Sequence, residues 1–262
     1  MKISKLYKYP IKSLTPFETE SLSLNSHGYI DGDRLFGFRF NNAGERTDLT
    51  WQRKTNFAAL MHMPQIARLK VNYNETERKI KIVSEGEVIV DENVDTEREI
   101  IEKKFTEYVL STDSELIKKF PERFPFILVG GDDGNNFHDS AIGGVTLHSQ
   151  ESLEDLKKIT GFNIVHTRFR TNIIIEDSDA WTELNWIGEK IKINQNNFVV
   201  EKAVPRCLAI NCNPDTGERD HNLLKSMLQI QAARPPEFAI RLIPQELKGV
   251  INIGDEVKVI KS

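Results

Sequence analysis

The chain has 262 residues, of which 39% are hydrophobic and 28% charged, with a formal net charge of -4. This frame suits one large domain or two modest ones with a proper core, and it argues against a disordered or fibrous chain and against a nucleic-acid binder, which needs a basic face. Two cysteines only five positions apart, Cys207 and Cys212, do not make a disulfide framework and point to a reducing cytoplasm. The opening stretch MKISKLYKYPIKSL has no apolar run long enough for a secretory leader core or a membrane span.

Taken in order, the segments ARLKVNY and RKIKIV alternate apolar and polar residues around the polar turn NETE, which predicts an antiparallel hairpin that GEVIV extends. A helix is expected from Asp95, with Asp95 as cap and Ile100, Ile101, Phe105, Tyr108 and Val109 at helical spacing. The stretch STDSELIKKFPERFPF, with its two prolines, predicts a break in regular structure, so the expected domains are 1–122 and 123–262. FILVGG reads as a short strand and TLHSQESLEDLKKITG as a helix, capped by Ser149, lined by Leu153, Leu156 and Ile159, and ended by Gly161. Strands are expected in TRFRTNIII, KIKIN and NNFVVEKAV, a helix near HNLLKSMLQI, and a closing hairpin in INIGDEVKVI that turns at Gly254-Asp255. The sum is a mixed, mainly β protein with a few helices, of β-barrel rather than alternating βαβ architecture.

Three places carry anion-binding chemistry. YPIKSL sets the Lys12 ammonium beside the Ser13 hydroxyl; GYIDGDRLFGF brings Arg34 out of a turn; and in RFRTNIII strand periodicity puts Arg170 and Asn172 on one face. Separately, RCLAINCNPDTG places Cys207 directly after Arg206, and a neighbouring guanidinium favours the thiolate, the form that attacks electrophiles or binds a soft metal. By residue type alone, a single cysteine such as Cys207 is more often a small buried hydrophobe.

The order YPIKSL, GDR, LTWQRK, HDSA, FRTNIII, RCLAINCNPDTG, IGDEV resembles the two-part MOSC family, in which an N-terminal β-barrel-like domain precedes a MOSC β-barrel domain. Within the family it is similar to the branch of the mitochondrial amidoxime-reducing component and its bacterial relatives. The resemblance implies a molybdenum cofactor (molybdenum-molybdopterin), with no need for pyridoxal phosphate. It implies that Cys207 is the metal ligand and a catalytic residue, and that Lys12, Ser13 and Arg34 hold the cofactor's terminal phosphate. Asp139, a second catalytic candidate, together with Ser140, Arg170, Asn172 and Arg206, then matches positions that contact the pterin or border the metal. The implied activity is reduction of small N-hydroxylated substrates with electrons from a separate electron-transfer protein, without nucleic acid or membrane as partner.

The chain departs from the family pattern at Asn213, where aspartate is usual before the proline, at Ile210, where a hydroxyl residue is common, at Cys212, which is outside the motif, and in SAIGGVTLHS. Other readings stay open. A sulfur carrier would hold a persulfide on Cys207. A zinc site would pair Cys207 with Cys212, and a Cys-His hydrolase would draw on His138, His148, His166 or His221. A pure interaction module leaves the separated cationic motifs unexplained.

Overall fold

The computed structural model of the chain describes residues 1–113, 115–132, 134, 136–231 and 235–260. Its strands in the first half are β1 (Lys2–Lys8), β2 (Phe17–Thr19), β3 (Ser21–Leu24), β4 (Phe36–Arg39), β5 (Lys70–Asn74), β6 (Lys79–Ser84), β7 (Glu87–Asn93) and β8 (Ile127–Gly130). Those in the second are β9 (Val145–Ser149), β10 (Ile173–Glu176), β11 (Lys190–Ile193), β12 (Asn196–Pro205), β13 (Glu237–Pro244), β14 (Gly249–Asn252) and β15 (Val257–Ile260). The helices are α1 (Arg98–Thr112), α2 (Glu115–Lys119), α3 (Gln150–Thr160) and α4 (Leu223–Ile230). The protein is therefore mainly β, as the sequence predicts.

The NETE turn joins β5 to β6 as expected, and β7 completes a three-stranded antiparallel meander. Its inward Val71, Tyr73, Ile80, Ile82 and Val90 meet Ile101, Phe105 and Val109 of α1 in one core with β4 and β8. The 3.6-residue period selects that face of α1. The remaining Ile100 is exposed. Asp95 is not the helix cap: its carboxylate takes two hydrogen bonds from Arg78, and Glu97 occupies the cap position, its carboxylate accepting the Asn93 N–H rather than capping the helix. The proline-bearing stretch does contain a short helix, α2; Ser114 lies outside the described residues.

The larger sheet has eight strands in the order β15-β11-β12-β13-β9-β10-β1-β2, all antiparallel except β9 with β10. The chain's first strand thus pairs with strands from its second half. Backbone hydrogen bonds between residues 1–3 and 254–257 bring β1 toward β15 and curl the sheet on itself. The inward side chains Ile3, Leu6, Leu147, Ile175, Phe198, Val200 and Ile240 fill the interior. Strand β3 pairs with β14, so Leu22 and Leu24 join Ile251 in the same core.

Three local readings change. The segment TLHS is strand β9 and the helix begins only after Ser149, whose hydroxyl accepts the Ser152 N–H, while Gly161 ends α3 in the left-handed region. A β-strand followed by a helix and a parallel neighbour makes β9-α3-β10 a single βαβ crossover, the one parallel connection in an otherwise antiparallel sheet. The turn at Gly254-Asp255 does not close a hairpin: β14 pairs with β3 and β15 with β11.

Because β1 and β3 supply pairing strands and core side chains to the second half, a fragment of residues 123–262 is predicted to lose cooperative folding, whereas the full chain unfolds cooperatively. Near-ultraviolet circular dichroism with urea titration reads this directly. A fragment that unfolds with a sharp, full-amplitude transition contradicts the interleaved topology.

Candidate functional site

A cleft of about 530 Å³ opens where the two halves meet. Among the described residues its lining carries eight cationic side chains, Lys12, Arg34, Lys54, Arg168, Arg170, Lys202, Arg206 and Arg241, against a single carboxylate, Asp139. Ser13, Ser140 and Cys207 line it as well. The site residues expected from sequence therefore converge, from loops far apart in the chain, with one exception.

The exception is Asn172. It is fully buried beneath the cleft, its amide oxygen accepting from the Thr146 N–H and hydroxyl and its amide nitrogen donating to the Tyr7 carbonyl. Nor does it share a strand face with Arg170. Residues 166–169 form a 3-10 turn that Arg170 ends at φ 54°, so strand periodicity begins only at β10. Asn172 fixes Thr146, which does line the cleft.

Three polar lining residues, Ser13 (φ 69°), Arg34 (φ 48°) and Arg170 (φ 54°), sit in the left-handed region that non-glycine residues rarely adopt. Such conformations persist where surrounding contacts over-determine them, and they gather at functional sites. Here the contacts are visible. Arg34 donates to Asp33 and, at 2.8 Å, to the Arg170 carbonyl, and Arg170 donates to the Leu14 carbonyl. The two guanidiniums lie 4.3 and 4.5 Å from the centre of the Tyr9 ring, whose face attracts cations. Burial, and then repulsion from Arg34, lowers the Arg170 pKa to about 10.

The Asp33 carboxylate, which sequence reading passed over, holds this cluster. It accepts from the Tyr9 N–H at 2.7 Å and from Arg34 at 2.5 Å, and lies 3.4 Å from His138 Nε2. Burial, followed by the nearby Arg34 charge, lowers the His138 pKa to about 3, so the ring is neutral at ordinary pH.

Beside it, the nearly buried Lys12 donates to the Phe137 carbonyl at 2.7 Å and to Asp139. Lys54 approaches the other Asp139 oxygen at 3.7 Å. Desolvation works against the Asp139 carboxylate, but Lys12, then Lys54 and Arg170, outweigh it and hold its pKa well below the usual carboxylate range. Lys54 shows the same balance: burial opposes its charge, while Asp139 and the Cys207 sulfur raise its pKa. Lys54 lies in the LTWQRK motif, but only the tertiary structure reveals its role.

Cys207 follows β12 and starts a 3-10 turn over residues 208–211. Arg168 braces that turn, donating to the Asn211 carbonyl at 3.1 Å and to both oxygens of Asp220 at 2.7 and 2.8 Å. Asn213 donates its amide to the same Asp220. An aspartate there would instead set two carboxylates together, which gives this departure from the family pattern a physical reason. Arg206 lines the cleft, but its guanidinium is engaged by the Phe238 and Phe169 carbonyls. Two cations lie close enough to interact with the Cys207 sulfur, Lys54 and Arg206.

The two cysteines divide. Cys207 is half-buried at the cleft, whereas Cys212 packs in the first core, its thiol near the Leu60 carbonyl and raised in pKa by burial. Among the described residues no group of three His, Cys, Asp or Glu side chains is placed to hold a metal ion by itself. His148 is fully buried against Thr171 rather than open to Cys207.

The MOSC domain family profile matches residues 135–258, and that of the MOSC N-terminal beta barrel domain matches residues 1–110. The chain belongs to the MOSC family, and this associates it with proteins of the molybdenum cofactor. Among solved structures it is similar to the YuaD protein from Bacillus subtilis, with 14% identity, TM-score 0.45, and coverage of 98% of this chain and 94% of that one. It is also similar to YiiM from Geobacillus stearothermophilus, with 12% identity, TM-score 0.35, and coverage of 45% and 54% respectively. A comparison with curated proteins returns no match. Among the described residues no helix is long and apolar enough to cross a membrane.

Neutral, buried His138 and His148 give the fold a pH dependence. Both have folded pKa values below the unfolded value of about 6.5, so the stability they contribute is complete above that pH and declines as pH falls toward about 3 for His138. Each histidine adds a slope that approaches roughly 1.4 kcal/mol per pH unit. Urea midpoints are predicted to drop steadily from pH 7 to pH 5, ahead of carboxylate titration. A midpoint that stays level over that range contradicts the neutral assignment.

Proposed function

We propose that this chain is a molybdenum-cofactor-dependent oxidoreductase that removes oxygen from small N-hydroxylated compounds, using electrons from a separate protein. The supporting observation is the convergence, in one cleft, of an accessible cysteine with a dense set of cations from both halves of the chain. The donor set fits the group: a soft thiolate suits molybdenum, and forked guanidiniums beside an ammonium suit a phosphate ester. Cys207 would ligate the metal, and Lys12, Ser13, Arg34 and Arg170 would hold the phosphate end. Ser140 and Arg206 would border the pterin, with Asn172 supporting that wall from below. When bound, the cofactor supplies the two-electron redox chemistry.

The chain's own residues then bind, orient and shield. Arg168 keeps the Cys207 turn in place through its carbonyl and Asp220 contacts. Apolar Leu60, Met61, Ala141 and Ala209 line the cleft and would lower its polarity around a small substrate. Asp139, strongly ionised by Lys12 and Lys54, is suited to orient those cations and to accept hydrogen bonds from substrate rather than to deliver a proton at neutral pH.

Electrons come from outside. Two cysteines, one of them in the core, are too few for a four-cysteine iron-sulfur cluster. The single βαβ unit passes from β9 to α3 through Ser149 and Gln150 without the glycine-rich dinucleotide turn.

Protein made in a host that synthesises the cofactor is predicted to carry about one molybdenum per chain and to reduce benzamidoxime with a chemical reductant, but not with NADH alone. Cys207→Ser is predicted to remove that activity, whereas Cys212→Ser retains most of it, because serine oxygen is a poor soft-metal ligand. Metal-free protein that releases sulfide on reduction points instead to a persulfide carrier, and equal loss in both variants contradicts a single-cysteine site.

A further inference from the structure

Several of the cleft's cations are paired outside it, Arg34 with Asp33, Arg168 with Asp220 and Arg241 with Glu201, while one carboxylate, Asp139, answers them within the cleft. Asp139 projects into the cleft with 63% of its side-chain surface exposed, yet one oxygen receives the Lys12 ammonium and the other lies 3.7 Å from Lys54. Lys12, by contrast, is 5% exposed and has the Phe137 carbonyl as its other partner, so an arriving anion reaches the Lys12 charge only by displacing or sharing Asp139. Arg34 and Arg170 have their remaining contacts on Asp33, backbone carbonyls and the Tyr9 ring.

From this geometry we infer that Asp139 is a built-in surrogate anion that sets the charge selectivity of the cleft, admitting ligands with a dianionic phosphate group and turning away monoanions. This rests on the reading of the cleft as a phosphate-binding site and adds to it which residue decides what anion enters. The physical reason is competition. A monoanion that replaces the carboxylate at Lys12 and Lys54 exchanges one negative charge for another and gains little, whereas a dianion brings an additional charge to Arg34 and Arg170. The surrogate also offsets the Lys12 and Lys54 charges before any ligand is present, since like charges in a partly desolvated site repel. The short loop that carries Asp139 runs directly into Gly143 and Gly144, both at positive φ, where a Cβ on Gly144 would meet the Arg241 side chain at 2.9 Å.

The test uses two probes of the same shape and different charge, phenyl phosphate and benzenesulfonate, titrated calorimetrically into cofactor-free full-length protein at pH 7.5. Wild type is expected to bind the phosphate at least tenfold more tightly than the sulfonate. Asp139→Asn is expected to bind both more tightly, the sulfonate by tenfold or more, so that the preference narrows. Asp139→Ser serves as a second variant in case the amide disturbs the loop, and the thermal transition of each variant reports folding. Arg34→Ala is expected to weaken phosphate binding in either background. If Asp139→Asn and Asp139→Ser leave both affinities and their ratio unchanged while Arg34→Ala weakens binding, the surrogate-anion role is overturned and the phosphate site stands. If neither probe binds any folded variant, the phosphate site itself is overturned along with it.

Discussion

Positive charge packed into a partly desolvated seam is the constraint around which this protein is organised. Arg34, Arg170 and Lys12 approach from three segments that are remote in sequence, and their mutual repulsion in a low-dielectric setting opposes the folded state. Two carboxylates and a ring of backbone carbonyls counter it. Asp33, entirely buried, fastens Arg34 to the Tyr9 backbone, while Asp139 draws Lys12 toward Lys54. The Tyr9 ring, close to both guanidiniums, adds an attractive π surface without adding charge.

This constraint accounts for the interleaved topology. The cluster forms only if the loop after β1, the turn before β4, the loop before β9 and the turn before β10 meet at one place. Pairing β1 with β10 brings Tyr9 and Lys12 to the Arg170 turn, and the β4-β8 ladder brings Arg34 beside Phe137 and Asp139. The strained backbone at Ser13, Arg34 and Arg170 is the local cost, and the dense hydrogen bonding around it is what maintains it. Cys207 belongs to the same assembly, because the Arg168 that braces its turn lies two residues before Arg170.

Much of this was legible in the chain itself. Polar turns and period-two patterning identified β5, β6 and β7, and Ser149 and Gly161 marked the ends of α3, because those signals act over a few residues. The ordered motifs identified the family, and eight of the nine residues expected from them line the cleft. What escaped depends on distant partners. Asp33 reads as an ordinary turn acid, and Lys54 as a surface lysine, until the other half of the molecule is folded against them. Asn172 has the right polarity for a binding residue, but its amide is consumed in joining β1 to the β9 region. The Gly254 turn has hairpin chemistry, yet its flanking strands find better partners in β3 and β11.

The central claim is that residues from both halves of the chain form one cofactor pocket. Its most direct measurement is pterin content, by fluorescence after oxidative release, of Lys12→Ala and Arg34→Ala proteins purified from a cofactor-producing host. Each substitution removes a charge-assisted contact of roughly 1.5–3 kcal/mol, so both are predicted to retain at most about a tenth of the wild-type pterin under limiting cofactor. Full pterin retention in both folded variants would contradict a shared pocket.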